Sequence, residues 1–280
     1  MQVNNMNEYS LVENNGPRDA VSCIQWVSDS PDELSFLVGC YDGCIFLYQT
    51  HNETRKIYRV WDFEFEASVT AIEVKNLHIF VGLGNGKVLL GMLKNSDFQL
   101  IGQHDGPVCR LTFINQLFSF GVDKKMLIYD LHENTQIQID LEHKTFAVGY
   151  NTNHFIVGSQ DFSVVIISTN DDIDYQKRCL KRPLKQYLLK KENPNDEIRC
   201  LSYCNDEKII RVGTMKGYLF SLKIHENRIK FVGSSNSQKS DLEPGMISDI
   251  ETGYDIMKGR FTIFAGTYQS QIVYESERQT

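Results

Sequence analysis

His104 lies in the run GQHDGPV, residues 102–108, with Asp105 beside it and Asp123 in the next polar turn. An imidazole within reach of a carboxylate is the heart of a general base working near neutral pH. Such a base needs a nucleophile to activate, and none recurs around His104. Cys40 with Cys44, and Cys200 with Cys204, leave three residues between sulfurs. Zinc would need a second paired cluster or accompanying histidines, and neither pair has them. The GLGNGK run, residues 82–87, is superficially a phosphate-binding loop, but it sits between two strand-like runs rather than between a strand and a helix. No nucleophile elbow, zinc-protease helix, Walker loop or paired-carboxylate site is found. These residues therefore give no enzyme, cofactor or metal expectation.

One segment is chemically distinct. QKRCLKRPLKQYLLKK, residues 176–191, carries Lys177, Arg178, Lys181, Arg182, Lys185, Lys190 and Lys191 just after Asp171, Asp172 and Asp174. It reads either as a solvated outer strand with its loop or as a dock for acidic peptide side chains, with nucleic acid a weaker third reading. The whole chain carries a formal charge of -7, which does not favour sequence-independent binding to phosphate backbones. Its 41% apolar and 23% charged content is that of a soluble globular protein. No secretory signal pattern or membrane span is found, and seven cysteines, an odd number, fit free intracellular thiols.

The elements that would position these residues repeat. FLVGCYDGCIFLYQT, IFVGLGNGKVLLGML, LFSFGVDKKMLIYDL, FIVGSQDFSVVIIST, IIRVGTMKGYLFSLK and TIFAGTYQSQIVYES align on Gly39, Gly82, Gly121, Gly158, Gly213 and Gly266. Each is a β-rich run, a short polar turn and a second apolar run, the pattern of a tight antiparallel hairpin. A strand-like segment precedes each hairpin (VSCIQWV, VTAIEVK, VCRLTFI, TFAVGY, IRCLSYC and the weaker MISDIET), and a more polar one follows most of them (KIYRVWDF, DFQLIGQH, TQIQIDLE, RIKFVGSS). Four strands recurring about every 40 residues are the signature of propeller blades. The expectation is one all-β domain over residues 1–280, a WD-repeat β-propeller with six recognisable blades. In such repeats a histidine before the first strand bonds an aspartate in the hairpin turn, and the unit ends in Trp-Asp. His104, Asp123 and Tyr129-Asp130 stand at those places, so His104 and Asp123 are read as structural. The polar run of residues 233–245 reads as a flexible loop.

The order and spacing of NEYSLVENNGPRDAVSCIQW, FLVGCYDGCIFLY, GQHDGPVCRLTF, RPLKQY, IRCL and GTMKGYLFSLKI resemble the WD-repeat family of the mitotic checkpoint protein Bub-three and the messenger-RNA export factors of the Rae-one (Gle-two) class. The resemblance runs from about Asn7 to Ser276. FLVGCYDGCIFLY and the spacing into LIGQHDGPV are closer to the checkpoint member, and the proline of RPLK to the export member. The resemblance implies a nuclear, non-enzymatic adaptor that holds short acidic GLEBS-type peptides of checkpoint kinases, or, in the export alternative, of a nucleoporin. A kinetochore scaffold is a further implied partner, the nuclear pore is the alternative location, and a generic WD-repeat scaffold is the third reading. Top-face turns would supply the peptide contacts: Tyr41, Asp42, Lys124, Lys216, Tyr218 and Tyr268, with Lys181, Arg182 and Lys185 meeting the carboxylates.

Three departures qualify the implied function. Lys216-Gly217-Tyr218 stands where the family has Asp/Glu-Gly-Arg, and VGSS, Val232 to Ser235, replaces a Cys-His-Arg run, so the cations left to grip a phosphate are Lys216 and Arg211. Tyr41 stands at a tryptophan position. The family has seven blades and six are recognisable here; the strand around Tyr9 to Glu13 closing a six-bladed ring, a sequence incomplete at its C-terminus, or strands from a partner would each account for the difference.

Overall fold

The computed structural model describes residues 10–11, 16–30, 33–51, 54, 56–151, 154–159, 161–181, 185–189, 196–204, 208–225, 228–236, 247–255, 260–267 and 272–276. They fall into two compact units, Met1–Gln136 and Ile137–Thr280. No α-helix occurs among the described residues. The fold is all-β.

The first sheet holds β1 (Ser10–Leu11), β2 (Val21–Ser30), β3 (Glu33–Cys40), β4 (Cys44–His51) and β5 (Lys56–Glu64) in the order β1-β5-β4-β3-β2. The second runs β6 (Val69–Lys75), β7 (His78–Leu83), β8 (Lys87–Met92), β9 (Phe98–Gln103). The third runs β10 (Val108–Phe113), β11 (Leu117–Gly121), β12 (Lys125–Asp130), β13 (Thr135–Asp140). The fourth comprises β14 (Thr145–Asn151), β15 (His154–Ser159) and β16 (Ser163–Ser168), then a small inserted hairpin of β17 (Ile173–Asp174) and β18 (Cys179–Leu180), and last β19 (Lys185–Leu188), which pairs with β16. The fifth holds β20 (Ile198–Cys204), β21 (Ile209–Thr214), β22 (Tyr218–His225) and β23 (Arg228–Asn236). The sixth holds β24 (Ile247–Asp255), β25 (Arg260–Thr267) and β26 (Ile272–Ser276).

Burial explains why the four runs of a unit differ in composition. The second strands are almost wholly buried, β11 throughout and β7 after its first residue, as continuous apolar runs require. The fourth strands alternate between exposed and half-buried, as in β5, and can be polar. Cores form where one sheet packs on the next. Leu37, Ile45 and Leu47 meet Val69, Ile79 and Val81, and Phe80 and Val88 meet Val108, Leu111 and Leu127. In the other unit Ile156, Val164 and Ile166 meet Ile198, Val212 and Phe220.

The recurrent glycine has a packing reason. A Cβ on Gly39 would lie 2.6 Å from Val69 Cγ1, one on Gly82 would lie 2.5 Å from Val108 Cγ1, and one on Gly158 would lie 2.6 Å from Ile198 Cγ2. Each neighbour is the first residue of the next sheet's first strand, so the missing side chain lets adjacent sheets close. A second device repeats with it. Every first strand is bulged after its opening residue, at Val21/Cys23, Val69/Ala71, Val108/Arg110, Thr145/Ala147, Ile198/Cys200 and Ile247/Asp249. The bulge turns the next side chain back onto the ladder: Thr70 Oγ1 donates to the Gly82 carbonyl at 3.1 Å, and Cys109 Sγ to that of Phe120 at 3.0 Å.

Two expectations are corrected. The N-terminal strand does not complete the sixth sheet, because Ser10 and Leu11 pair in parallel with Lys56 and Ile57 on the outer edge of the first; Tyr9, Val12 and Glu13 lie outside the described residues. The loop expected over residues 233–245 begins later, since Gly233 to Asn236 continue β23 against β22. The rest of that run lies outside the described residues.

Candidate peptide-binding surface

In the unit Met1–Gln136 the hairpin turns share one construction. Asp42 Oδ1 accepts the Cys44 N–H at 2.9 Å, Asn85 Oδ1 the Lys87 N–H at 3.2 Å, and Asp123 Oδ1 the Lys125 N–H at 3.2 Å. A short Asp or Asn side chain that bonds the backbone two residues on fixes a tight turn. The next residue is left-handed in each: Gly43 at φ 91, Gly86 at φ 87 and Lys124 at φ 67. Lys124 thus takes a conformation that glycine adopts without strain, and it is exposed there. Tyr41 is 56% exposed at the first turn, with Asp42 exposed beside it.

His104 is buried under the third turn. Its Nδ1 lies 3.0 and 3.1 Å from the two Asp123 oxygens and its Nε2 lies 2.7 Å from Ser119 Oγ. Asp123 Oδ2 also accepts the Asp105 N–H at 2.9 Å. Burial lowers the His104 pKa, against the raising effect of Asp123. A Cβ on Gly121 would overlap both Asp123 and His104, so here the repeated glycine makes room for the pair itself. Tyr129 stands at the end of the same sheet, 3% exposed, its phenol pKa raised by burial. With both ring nitrogens occupied, His104 ties turn to strand.

Three of the thiols are held in the protonated form. Burial pushes Cys40 and Cys109 up to about 12 and Cys44 to about 11, well away from the thiolate that binds metal or attacks substrate. Among the described residues no three His, Cys, Asp or Glu side chains converge as a metal site requires.

In the unit Ile137–Thr280 the fifth turn carries an exposed Lys216, whose N–H donates to Asp196 Oδ1 at 3.1 Å. Tyr218 is half-buried and stacks on Phe220, centroids 5.9 Å apart, so its ring belongs to the sheet face. Arg211 is only 2% exposed and donates to Ser221 Oγ, which removes it as a phosphate grip. Lys181 is exposed just after β18, its N–H donating to the Asp172 carbonyl at 2.7 Å. Lys185 opens β19 opposite Ile166. Arg182 and Tyr268 lie outside the described residues. The basic segment thus includes an outer strand, Lys185–Leu188 against β16, and before it the second strand of a small hairpin, Cys179–Leu180.

One pair escaped the sequence reading. His143 Nε2 lies 3.6 Å from Asp161 Oδ2, which places in the fourth sheet the same residue types that the third sheet buries. Asp161 Oδ1 also accepts the Ser163 hydroxyl at 2.6 Å, and Gln186 Nε2 donates to Ser163 Oγ at 2.9 Å. The signal was available as a histidine just before a first strand and an aspartate in the following turn.

The repeated sheets define a WD-repeat β-propeller fold. The chain is similar to one in the crystal structure of a mitotic checkpoint complex, with a TM-score of 0.68 and 13% identity over 92% of this chain and 75% of that one. In sequence it is similar to Rho guanine nucleotide exchange factor 17 of Mus musculus, 25% identical over 140 residues. That match takes in 47% of this chain and 6% of the exchange factor, so the chain spans a small fraction of that relative's length. No protein-family model matches it.

Proposed function

We propose that the chain is a non-enzymatic nuclear adaptor of the spindle checkpoint, which holds short acidic GLEBS-type peptides of checkpoint kinases at the kinetochore. The observation that carries this reading is the basic segment built onto the fourth sheet of a propeller similar to one in a mitotic checkpoint complex. Exposed Lys181 just past β18, with Arg182 and Lys185 close in sequence, suits a ligand that brings carboxylates. Lys216 offers a further cation in the same unit, and in the unit Met1–Gln136 exposed Tyr41 and Lys124 offer similar chemistry at hairpin turns.

Affinity purification from mitotic cells tests it. Checkpoint kinases with acidic GLEBS segments should copurify, and the triple charge reversal Lys181→Glu, Arg182→Glu, Lys185→Glu should release them in a salt-dependent manner. Recovery of nucleoporins and RNA in their place would assign the chain to messenger-RNA export.

A further inference from the structure

The second and third sheets enclose a groove of about 750 Å³ at the end away from their hairpin turns. The β6–β7 and β10–β11 connections and the last residues of β8 and β12 all reach that end. The groove lies within the unit Met1–Gln136, and the adaptor reading does not use it.

Its apolar wall is within reach of a ligand. Leu131 is 37% exposed, and Leu90, Ile101 and Phe113 are half-buried, with buried Phe80 stacked on the Phe113 ring at 5.8 Å. Leu77 and Met92, 60% and 47% exposed, continue the patch beside it. Met92 pairs with the groove residue His78 across the ladder, and the Leu93 N–H donates to the Leu77 carbonyl at 2.8 Å. Apolar surface gathered at one end of a sheet pair and rimmed by polar groups marks a contact surface.

The rim carries a cation and no anion. Lys75 is exposed, its ammonium 5.9 Å from the centroid of the Phe113 ring, and exposed His78 and His132 line the same groove. Among the described residues no Asp or Glu lines it. Asp130, close by in sequence, is committed to its turn: Oδ1 accepts the His132 and Glu133 N–H groups and Oδ2 the Gln116 side-chain amide. On a chain of formal charge -7 such a place is an exception, and it attracts carboxylates that the net charge repels.

We infer that this groove holds a short peptide segment of a partner protein in which a bulky aliphatic or aromatic residue is flanked by Asp or Glu. The apolar side chain lies against Phe113, Ile101 and Leu131, and a carboxylate meets Lys75. Because the Lys75 ammonium stands over the Phe113 ring, the two chemistries are adjacent, and the ligand's acidic residue must neighbour its apolar one. The volume falls in the roughly 300–1,000 Å³ of ligand clefts, which suits a few residues rather than a folded surface. This goes beyond the adaptor reading, since it gives the chain a second contact surface that stands whether or not the basic segment of the other unit binds.

The test is a selection of random phage-displayed peptides on the full chain carrying Lys181→Glu, Arg182→Glu and Lys185→Glu, which silences the other cationic surface. Recovered peptides should combine Leu, Ile, Met or Phe with an adjacent Asp or Glu, and in NMR titrations of the wild-type chain they should shift the amides of Lys75, His78 and His132 saturably. Lys75→Glu should weaken them roughly 5-fold in a salt-dependent way. Leu131→Ser should weaken them about 10-fold. Melting curves establish that each variant is folded, and Lys75→Ala carries the same test if charge reversal two residues from buried Glu73 disturbs the strand. No recovered peptide, peptides without carboxylates, affinity unchanged in the Lys75 variants, or shifts confined to other surfaces would each overturn the assignment. None of these results bears on the partners recovered through the basic segment, so the two readings fail separately.

Discussion

The third and fourth sheets use the same two residue types in the same two places and obtain different results. His104 and Asp123 have side chains 0% and 5% exposed and sit 3.0 Å apart, while His143 and Asp161 are 35% and 21% exposed and sit 3.6 Å apart. In the first pair both imidazole nitrogens are bound and burial disfavours the charged ring, against the pull of Asp123. In the second, water reaches the pair and a cavity opens beside it. A His-Asp pair is thus a brace where neighbours exclude water and part of an accessible surface where they do not. Burial, not residue identity, separates the two.

The left-handed turn position repeats the contrast with the exposures reversed. Lys124 is exposed at φ 67, and Phe162, at φ 60, is 1% exposed and packs edge-on to Phe220 at 6.2 Å. Glycine should therefore act in opposite directions at the two sites. Phe162→Gly should cost about 3–5 kcal/mol in denaturant unfolding, because the lost aromatic volume outweighs the relieved strain. Lys124→Gly should stabilise by up to about 1 kcal/mol, the strain relief partly offset by unfolded-chain entropy. Shifts of the same sign would break the comparison.

Removing the acid from each pair is the second test. Asp123→Ala leaves the His104 imidazole and two backbone N–H groups without their acceptor and should cost about 3 kcal/mol. Asp161→Ala should cost about 1 kcal/mol or less, because solvent replaces its bonds. Equal losses would mean that exposure is not what distinguishes the pairs.

A pH series sharpens the buried side. The unfolded His104 gains a proton near 6.5 and the folded one resists it, so stability should fall as pH drops below about 6.5. Glu73 acts in the opposite sense. Burial, against the lowering effect of Arg110, raises it from 4.5 to about 7, so the folded chain holds a proton that the unfolded chain releases, and stability is lost as pH rises from 4.5 to 7. Glu73→Gln should remove that opposing slope and leave a steeper acid loss in denaturant midpoints across the range. An unchanged profile would show that Glu73 is not a buried acid.

The smallest effect expected is at the second turn, where Glu66 pairs with Lys87 at 60% and 37% exposure. Glu66→Gln should leave the melting temperature unchanged within error, as a solvated relative of the third sheet's buried pair.

The strands were legible because composition tracks burial. Central strands read as unbroken apolar runs, outer strands as polar alternations, and turns as short Asp, Asn and Gly clusters. The bulge in every first strand was not legible, since Thr70 and Cys109 look like ordinary strand residues until their side chains meet carbonyls on the adjoining strand. Arg211 could not be set apart from an exposed cation, because its burial depends on Ser221 and the strands around it. The pairing of His143 with Asp161 was legible from their places in the repeat, and only their exposure was not.

The sequence by itself determined the repeated antiparallel unit, through alternation, turn chemistry and a glycine at one fixed place, all of which act over a few residues. Tertiary structure alone decided which polar groups are sealed and which stay open. Desolvation is set by residues remote in sequence, so the same histidine and aspartate become a buried brace in one sheet and the edge of a cavity in the next.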